Sequence, residues 1–549
     1  MKKVFLAVLA MVLSLPSIAC TSFLVGKKAS TDGSVFISYN ADDYGMYGHL
    51  IYLPHAIHPQ GTMRKIIDGD TNHYLGEIPE ATETYKVNGY INEFQVSIME
   101  STWGGREELV DSKGIIDYVS LMRIALQRSK TAREAINVMT TLVEKYGYAS
   151  SGESFSIADK NEIWIMEMIG KGTGVTGANW VAVRIPDDCI AAHANQSRIH
   201  KISQYAKKDV LYSKDLISFA RKKGYFSGKD NEFDFANAFA PADFGAMRFC
   251  EARVWSFFNR FVSGMEKYLD YVDGHHIGNA EPMPLYMRPT RPLSRQDIMD
   301  GMRDHYEGTP FDVNKDMGQG PWEMPYRPTP LQFKYEGKTY FNERPISTQQ
   351  TADTYIAQLR SYLPDAIGGI LWYGSDDPNM ISYTPIYCHN TIVPECFNAP
   401  DADGGNFSWK SAFWVCNWVS NMTYPRYNQV FPAVQRVRNE LDSTWIAQQP
   451  SVEAKAQELY KMSPDKAQEF LNSYSLQCAA TMLKDWKKLG EYIIVKYNDM
   501  TVKPEKSGEF ERTSDGLCVP PKRTGFSESY KSSLIKETGN KYLVPSIPQ

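Results

Sequence analysis

The residue best placed to do chemistry in this 549-residue chain is Cys20, because the segment before it is built to be removed. Lys2 and Lys3 precede an apolar stretch, Val4 to Leu15, broken only by Ser14. Pro16 ends that stretch, and Ser17-Ile18-Ala19 puts small residues at the −3 and −1 positions of a cleavage site. The pattern is that of a secretory signal peptide, residues 1–19, too short for a transmembrane span. Its removal leaves Cys20 first. A terminal cysteine carries its own base, since an α-amine with an ordinary pKa of about 7.7–8.0 takes the thiol proton directly or through a water. Two other readings compete. A lipoprotein signal also ends before a cysteine, which is then acylated, although such a signal usually has Leu at −3, where Ser17 stands. A structural cysteine following the cleavage site is the third reading. Lipidation would consume the amine, so the lipid-anchored and nucleophile readings exclude each other.

Other motifs carry less. The cysteines at 189, 250, 388, 396, 416, 478 and 518 show no CxxC spacing and no Cys/His cluster of the zinc type. In an exported chain Cys388 and Cys396, eight apart around an expected loop, are the expected disulfide pair. Gly172-Thr173-Gly174-Val175-Thr176-Gly177 matches GxGxxG, but a strand rather than a helix is expected after it, so it reads as a hairpin turn. There is no GxSxG, HExxH or Walker A pattern. His193, His200 and the His275-His276 pair point to nothing specific. A papain-like site would require one of them beside a cysteine.

The elements that must position Cys20 follow from periodicity. Thr21 to Val25 and Ser34 to Tyr39 read as two strands of a hairpin around Asp32-Gly33, which brings Asp42 back towards the chain start. Gly89 to Met99 reads as a strand pair turning at Asn92-Glu93. Residues 115–146 read as two helices, the second opened by the capping box Thr131 to Glu134 and stopped at Gly147. Strands follow at 154–158, 162–169, 180–185 and 190–193. The order of strands, two helices and strands predicts an α+β fold with largely antiparallel sheets. Residues 265–345 are rich in Pro and Gly and read as a long excursion with one short helix near Arg295 to His305. Residues 346–425 return to strands, 427–490 look helical, and a polar tail follows from about 500.

Several segments, taken in order, resemble one family. They are Cys20-Thr21-Ser22, Gly26 to Ser34, Asn40-Ala41-Asp42, Tyr90 to Glu93, Leu121 to Arg128, Thr131 to Ala135, Ile157-Ala158-Asp159, Trp180 to Asp187, Arg253-Val254-Trp255, Arg303 to Thr309 and Glu343 to Ile346. The set is similar to the N-terminal-nucleophile cysteine dipeptidases, relatives of secernins and more distantly of penicillin V acylases and bile-salt hydrolases. The resemblance spans most of residues 20–430. It implies a four-layer αββα fold and amide hydrolysis, mainly of dipeptides, with no metal or other cofactor. It assigns Cys20 as nucleophile, Asp42 as the carboxylate holding its amine, and Asn195 as oxyanion stabiliser. The acylases carry an arginine where this chain has Tyr39, so that residue is left as a substrate contact, and Arg248 or Arg253 is expected to supply the missing charge. The departure favours dipeptides over the alternative, N-acyl amides. Glu100 is expected to take a substrate's free amino group.

Composition sets the outer limits. With 43% apolar and 22% charged residues the chain folds rather than staying disordered. A net charge of −5, becoming −7 once Lys2 and Lys3 are removed, argues against a nucleic-acid partner. No other stretch is long and apolar enough to span a membrane. The expected layout is a signal peptide at 1–19, a catalytic domain at 20–430 with the excursion 265–345, and a helical C-terminal part with a polar tail at 431–549. The expected location is the periplasm or the exterior. Oligomeric state is left open.

Overall fold

A computed structural model describes residues 20–329 and 331–546; the expected signal peptide lies outside the described residues. In chain order the main strands are β1 (Ser22–Val25), β2 (Val35–Asp42), β3 (Ser97–Gly104), β4 (Gly152–Ala158), β5 (Ile163–Gly170), β6 (Ala178–Ile185), β7 (Ile190–His193), β8 (Thr351–Leu359), β9 (Ile370–Ser375) and β10 (Thr384–Tyr387). The main helices are α1 (Tyr118–Arg128), α2 (Ala132–Tyr146), α3 (Ala252–Phe261), α4 (Ala412–Thr423), α5 (Tyr427–Met462) and α6 (Pro464–Tyr497). The fold is α+β, as the pattern of periodicities predicts.

Two antiparallel sheets face each other. One runs in the order Tyr286–Met287, β7, β1, β2, β8, β9, β10; the other runs Val210–Tyr212, β6, β5, β4, β3 and then three two-residue strands. Strand β2 touches β3 and β4 across the gap, and β1 touches β3. Helices cover the sheets on their other sides. Helix α2 lies on β4, β5 and β6, and α1 on β3, while α3 packs on β7, α4 on β9 and α6 on β10. Strands covered on both faces need apolar residues at successive positions, which is why Ile163-Trp164-Ile165-Met166 shows no alternation.

Local signals act where expected. Thr131 accepts the amide of Glu134, while Glu134 reaches back to the amide of Lys130. The glycines 172, 174 and 177, all at positive φ, join β5 to β6 as a hairpin with Ile163 opposite Ile185. That register confirms the turn reading of GxGxxG.

Some expectations are corrected. Strand β2 runs on to Asp42 instead of ending at Tyr39, because β8 pairs along its far side from Val35–Leu359 to Asp42–Thr351. Cys388 and Cys396 are not bridged, and all eight cysteines are free thiols. The Cys388 thiol donates to the carbonyl of Asp365 instead, at 3.3 Å. The polar tail is not all loop: Ser527 caps a helix at Glu528–Thr538. The excursion carries its expected helix at Arg295–Met302 and also a hairpin, Gln332–Tyr335 with Lys338–Phe341. No helix among the described residues is long and apolar enough to cross a membrane.

Candidate active site

Cys20 sits at the head of β1, fully buried. Its thiol donates to the Tyr39 hydroxyl at 3.3 Å and to Glu100 Oε1 at 3.6 Å. Tyr39 in turn donates to Glu100 Oε1 at 2.5 Å. Tyr39 on β2 and Glu100 on β3 belong to the two facing sheets, so their contact bridges the sheets beside Cys20. Burial holds the thiol well above its ordinary pKa, and the neighbouring carboxylates of Glu100 and Asp42 push the same way. The Tyr39 hydroxyl and the Asp42 backbone amide oppose that rise.

Arg253, on α3, is the cation brought to this point. Its Nη1 donates to the carbonyl of Cys20 and to Thr21 Oγ1, both at 2.7 Å. Its Nη2 donates to Asn195 Oδ1 at 2.8 Å and to the carbonyl of Ala194 at 3.2 Å. Burial, with Arg344 nearby, lowers its pKa to about 10, which leaves it charged at neutral pH. Arg248 turns elsewhere, to Glu343 at 3.4 Å and over the Phe311 ring. The choice that the sequence leaves open between the two arginines therefore falls, by placement, on Arg253.

Asn195 follows β7 in a left-handed conformation, φ 58°, a region few residues other than Gly, Asn and Asp adopt. Its Nδ2 donates to the carbonyl of Thr102 at 2.6 Å and its amide to Ser101 Oγ at 3.3 Å. Both side-chain atoms are thus oriented, one by Arg253 and one by β3.

Asp42 closes β2 with both oxygens engaged. Oδ2 pairs with Arg344 at 2.9 Å, and Oδ1 accepts the Thr351 hydroxyl at 2.6 Å. Burial raises its pKa and Arg344 opposes that rise. Sequence reasoning did not single out Arg344 or Thr351, although Glu343-Arg344-Pro345-Ile346 stood among the matching segments.

Glu100 is not the surface carboxylate that its position at a strand end allows; it is fully buried. Burial is the chief cause that pushes its pKa up to about 7. Glu153 on β4, also buried, lies within hydrogen-bonding distance of it and is raised well above its ordinary value by burial and then by Glu100. Glu153 Oε1 accepts the Thr102 hydroxyl at 2.7 Å. The missed signal for Glu153 is a lone acid in an otherwise uncharged strand, Gly152–Ala158.

His193 has no cysteine beside its ring nitrogens. They meet the hydroxyls of Ser101 at 2.6 Å and Ser156 at 2.7 Å, tying the two sheets together. Burial lowers its pKa to about 3, so it stays neutral and serves no acid–base role at neutral pH. At the surface, Asp270, Asp273 and His276 bring three possible ligand atoms within 4.8 Å of one another and share no residue with the Cys20 network.

Residues 19–440 match the family model described as peptidase family C69. The chain belongs to peptidase family C69. Among curated relatives, a probable dipeptidase of Salmonella dublin is 28% identical over 67% of this chain and 81% of its own length. A probable dipeptidase of Latilactobacillus sakei is 27% identical over 78% and 86%. Probable dipeptidase B of Streptococcus pyogenes serotype M1 is 25% identical over 89% and 96%. The C69 match opens at residue 19, so the segment before Cys20 lies almost wholly outside it.

Proposed function

We propose that this C69 peptidase is an exported dipeptidase whose nucleophile is Cys20, exposed as the first residue when residues 1–19 are removed. The observation that carries the reading is the convergence on Cys20 of Arg253, Asn195 and the buried acid Glu100, at the start of the segment the family model covers. The names of the relatives support dipeptides as substrates. The helices and facing sheets support the four-layer αββα arrangement of N-terminal-nucleophile hydrolases.

In the uncleaved chain the nitrogen of Cys20 is an amide and cannot act as a base. Once freed, the amine takes the thiol proton, and the sulfur forms a bond to the scissile carbonyl carbon. The carbonyl electrons move onto oxygen, where the side-chain amide of Asn195, oriented by Arg253 and Thr102, stabilises the negative charge. As the C–N bond breaks, the ammonium of Cys20 returns its proton to the departing amine, leaving a thioester. Water, deprotonated by the same amine, then releases the first amino acid and restores the thiol. Asp42, fixed by Arg344 and Thr351, lies beside Cys20 as the anion that steadies the ammonium form. Tyr39, as a substrate contact, limits the space over the sulfur.

Two measurements test this. The intact mass of the exported protein should correspond to a chain beginning at an unmodified Cys20; a diacylglyceryl adduct would overturn the mechanism in favour of a lipid-anchored binding protein. Incubation with a set of dipeptides and N-acyl amides should give turnover of the dipeptides. Cys20→Ala should lower that turnover at least about 1,000-fold with unchanged circular dichroism, and a variant that kept its activity would sink the assignment.

A further inference from the structure

Resting on Cys20 as the nucleophile, we propose that Glu100 and Glu153 together form a receptor for the α-ammonium group of the substrate's first residue, and that this contact confines hydrolysis to the first peptide bond. Glu100 Oε1 lies 3.6 Å from the sulfur. The other oxygen of each carboxyl, Glu100 Oε2 and Glu153 Oε2, is buried and reached by no donor. The donors that do reach the pair are uncharged: the Tyr39 hydroxyl, the Cys20 thiol and the Thr102 hydroxyl. The charge of Asp70 also acts on both carboxyls, raising their pKa further. Two carboxyls buried together without a cation cannot both ionise, so in the empty site they share a proton. A ligand ammonium supplies the missing charge in place of that proton and, with three hydrogens, reaches oxygens that no amide, guanidinium or alcohol donor of the described residues reaches.

Covalent geometry explains why the ligand is a free N-terminus. In a peptide the α-nitrogen is two bonds from the first carbonyl carbon, so the two atoms are about 2.5 Å apart. A carbonyl at an attack distance of about 3–3.5 Å from the sulfur therefore holds its own ammonium within hydrogen-bond reach of a carboxylate that is itself beside the sulfur. Cleavage at the second bond would carry the ammonium a further residue away, about 3.3–3.6 Å, beyond the pair. An N-acyl group occupies the same place with no charge to offer, leaving both carboxyls desolvated and unpaired.

The test compares kcat/KM of the mature enzyme for alanyl-alanine and N-acetyl-alanyl-alanine, and identifies the products of alanyl-glycyl-leucine. The free dipeptide should exceed its N-acetyl form at least about 100-fold. The tripeptide, where cleaved, should give alanine and glycyl-leucine as its first products. Glu153→Gln should shrink the 100-fold ratio at least about tenfold, through a raised KM for the free dipeptide. A ratio near unity in the unaltered enzyme overturns the receptor, as does a first release of leucine with alanyl-glycine, or a Glu153→Gln variant that slows both dipeptide forms equally. If that variant does not fold, the ratio and the tripeptide products decide alone. Failure to hydrolyse any of the three substrates would instead overturn the dipeptidase reading itself; comparable hydrolysis of free and acetylated forms leaves that reading standing and removes only the receptor.

Discussion

Arg253 makes five hydrogen bonds from a fully buried position, four of them to Cys20, Thr21, Ala194 and Asn195. Removing it leaves several carbonyls and Asn195 without their donor, and the amide proposed to stabilise the oxyanion without its orientation. Arg253→Met should therefore lower kcat/KM at least about 100-fold, whereas Arg248→Met, which loses one ion pair with Glu343, should change it by less than about fivefold. Parallel kinetics on the two variants check this, and equal losses would refute the placement argument. The acid pair makes a second prediction. Burial raises the pKa of Glu100 from 4.5 to about 7 and raises Glu153 too, so folding takes up protons in that window. The contribution to stability is full below about pH 4.5 and is lost as pH climbs towards 7. The double variant Glu100→Gln/Glu153→Gln should thus melt above the unaltered protein at pH 8, by a few degrees (about 2–4 °C per kcal/mol), and the gap should close by pH 5. Thermal scans across pH read it directly. At this scale the sequence exposes residues whose type is unusual for their position, such as Cys20 directly after a segment with the pattern of a signal peptide. It hides Arg344 and Glu153, because nothing local to a charged residue tells which buried partner it will meet.

Elements were more legible than their ends. The helices α1 and α2 follow from apolar spacing and from the Thr131 cap, both of which act over a few residues. Strand β2 runs three residues past the expected end because its last pairs are made with β8, more than 300 positions away, and no local pattern carries that information. The break between α5 and α6 was present in the text as Ser463-Pro464, a helix-start signal inside a long helical run. Packing of these helices inverts an ordinary preference. Gly490 in α6 lies against Trp418 of α4, so closely that an added Cβ would stand 2.0 Å from the indole. Alanine usually stabilises a helix interior relative to glycine by about 0.5–1 kcal/mol. Here Gly490→Ala should destabilise by about 1–3 kcal/mol, read as a lower urea midpoint with an unchanged slope.

For the whole molecule, the family match ends at residue 440 but the packing does not. Asp442 pairs with buried Arg303 at 2.6 Å, and Glu453 pairs with buried Arg360 at 2.6 Å. A chain cut after residue 440 takes the carboxylate partner from Arg360, at about 3–5 kcal/mol, leaves Arg303 only the longer carboxylate contact to Asp300 at 3.7 Å, and uncovers β10 where α6 lay. It should be insoluble or unfolded by circular dichroism; a folded, active fragment would show that the C-terminal helices are dispensable. The layout of strands, helices and Pro-rich excursion was visible in the sequence, since each is a property of composition along the chain. Which distant segments complete the centre was not. Asp42 waits for Arg344, 302 positions later, and for Thr351, 309 positions later. The order of events during synthesis follows from that spacing. The proposed nucleophile, Cys20, belongs to the earliest part of the chain to emerge, and Arg344 and Thr351, which hold Asp42 beside it, are made after more than half of the polypeptide. No nascent or truncated form short of about residue 351 can assemble the centre, so hydrolytic power arrives late, after most of the protein exists to contain it.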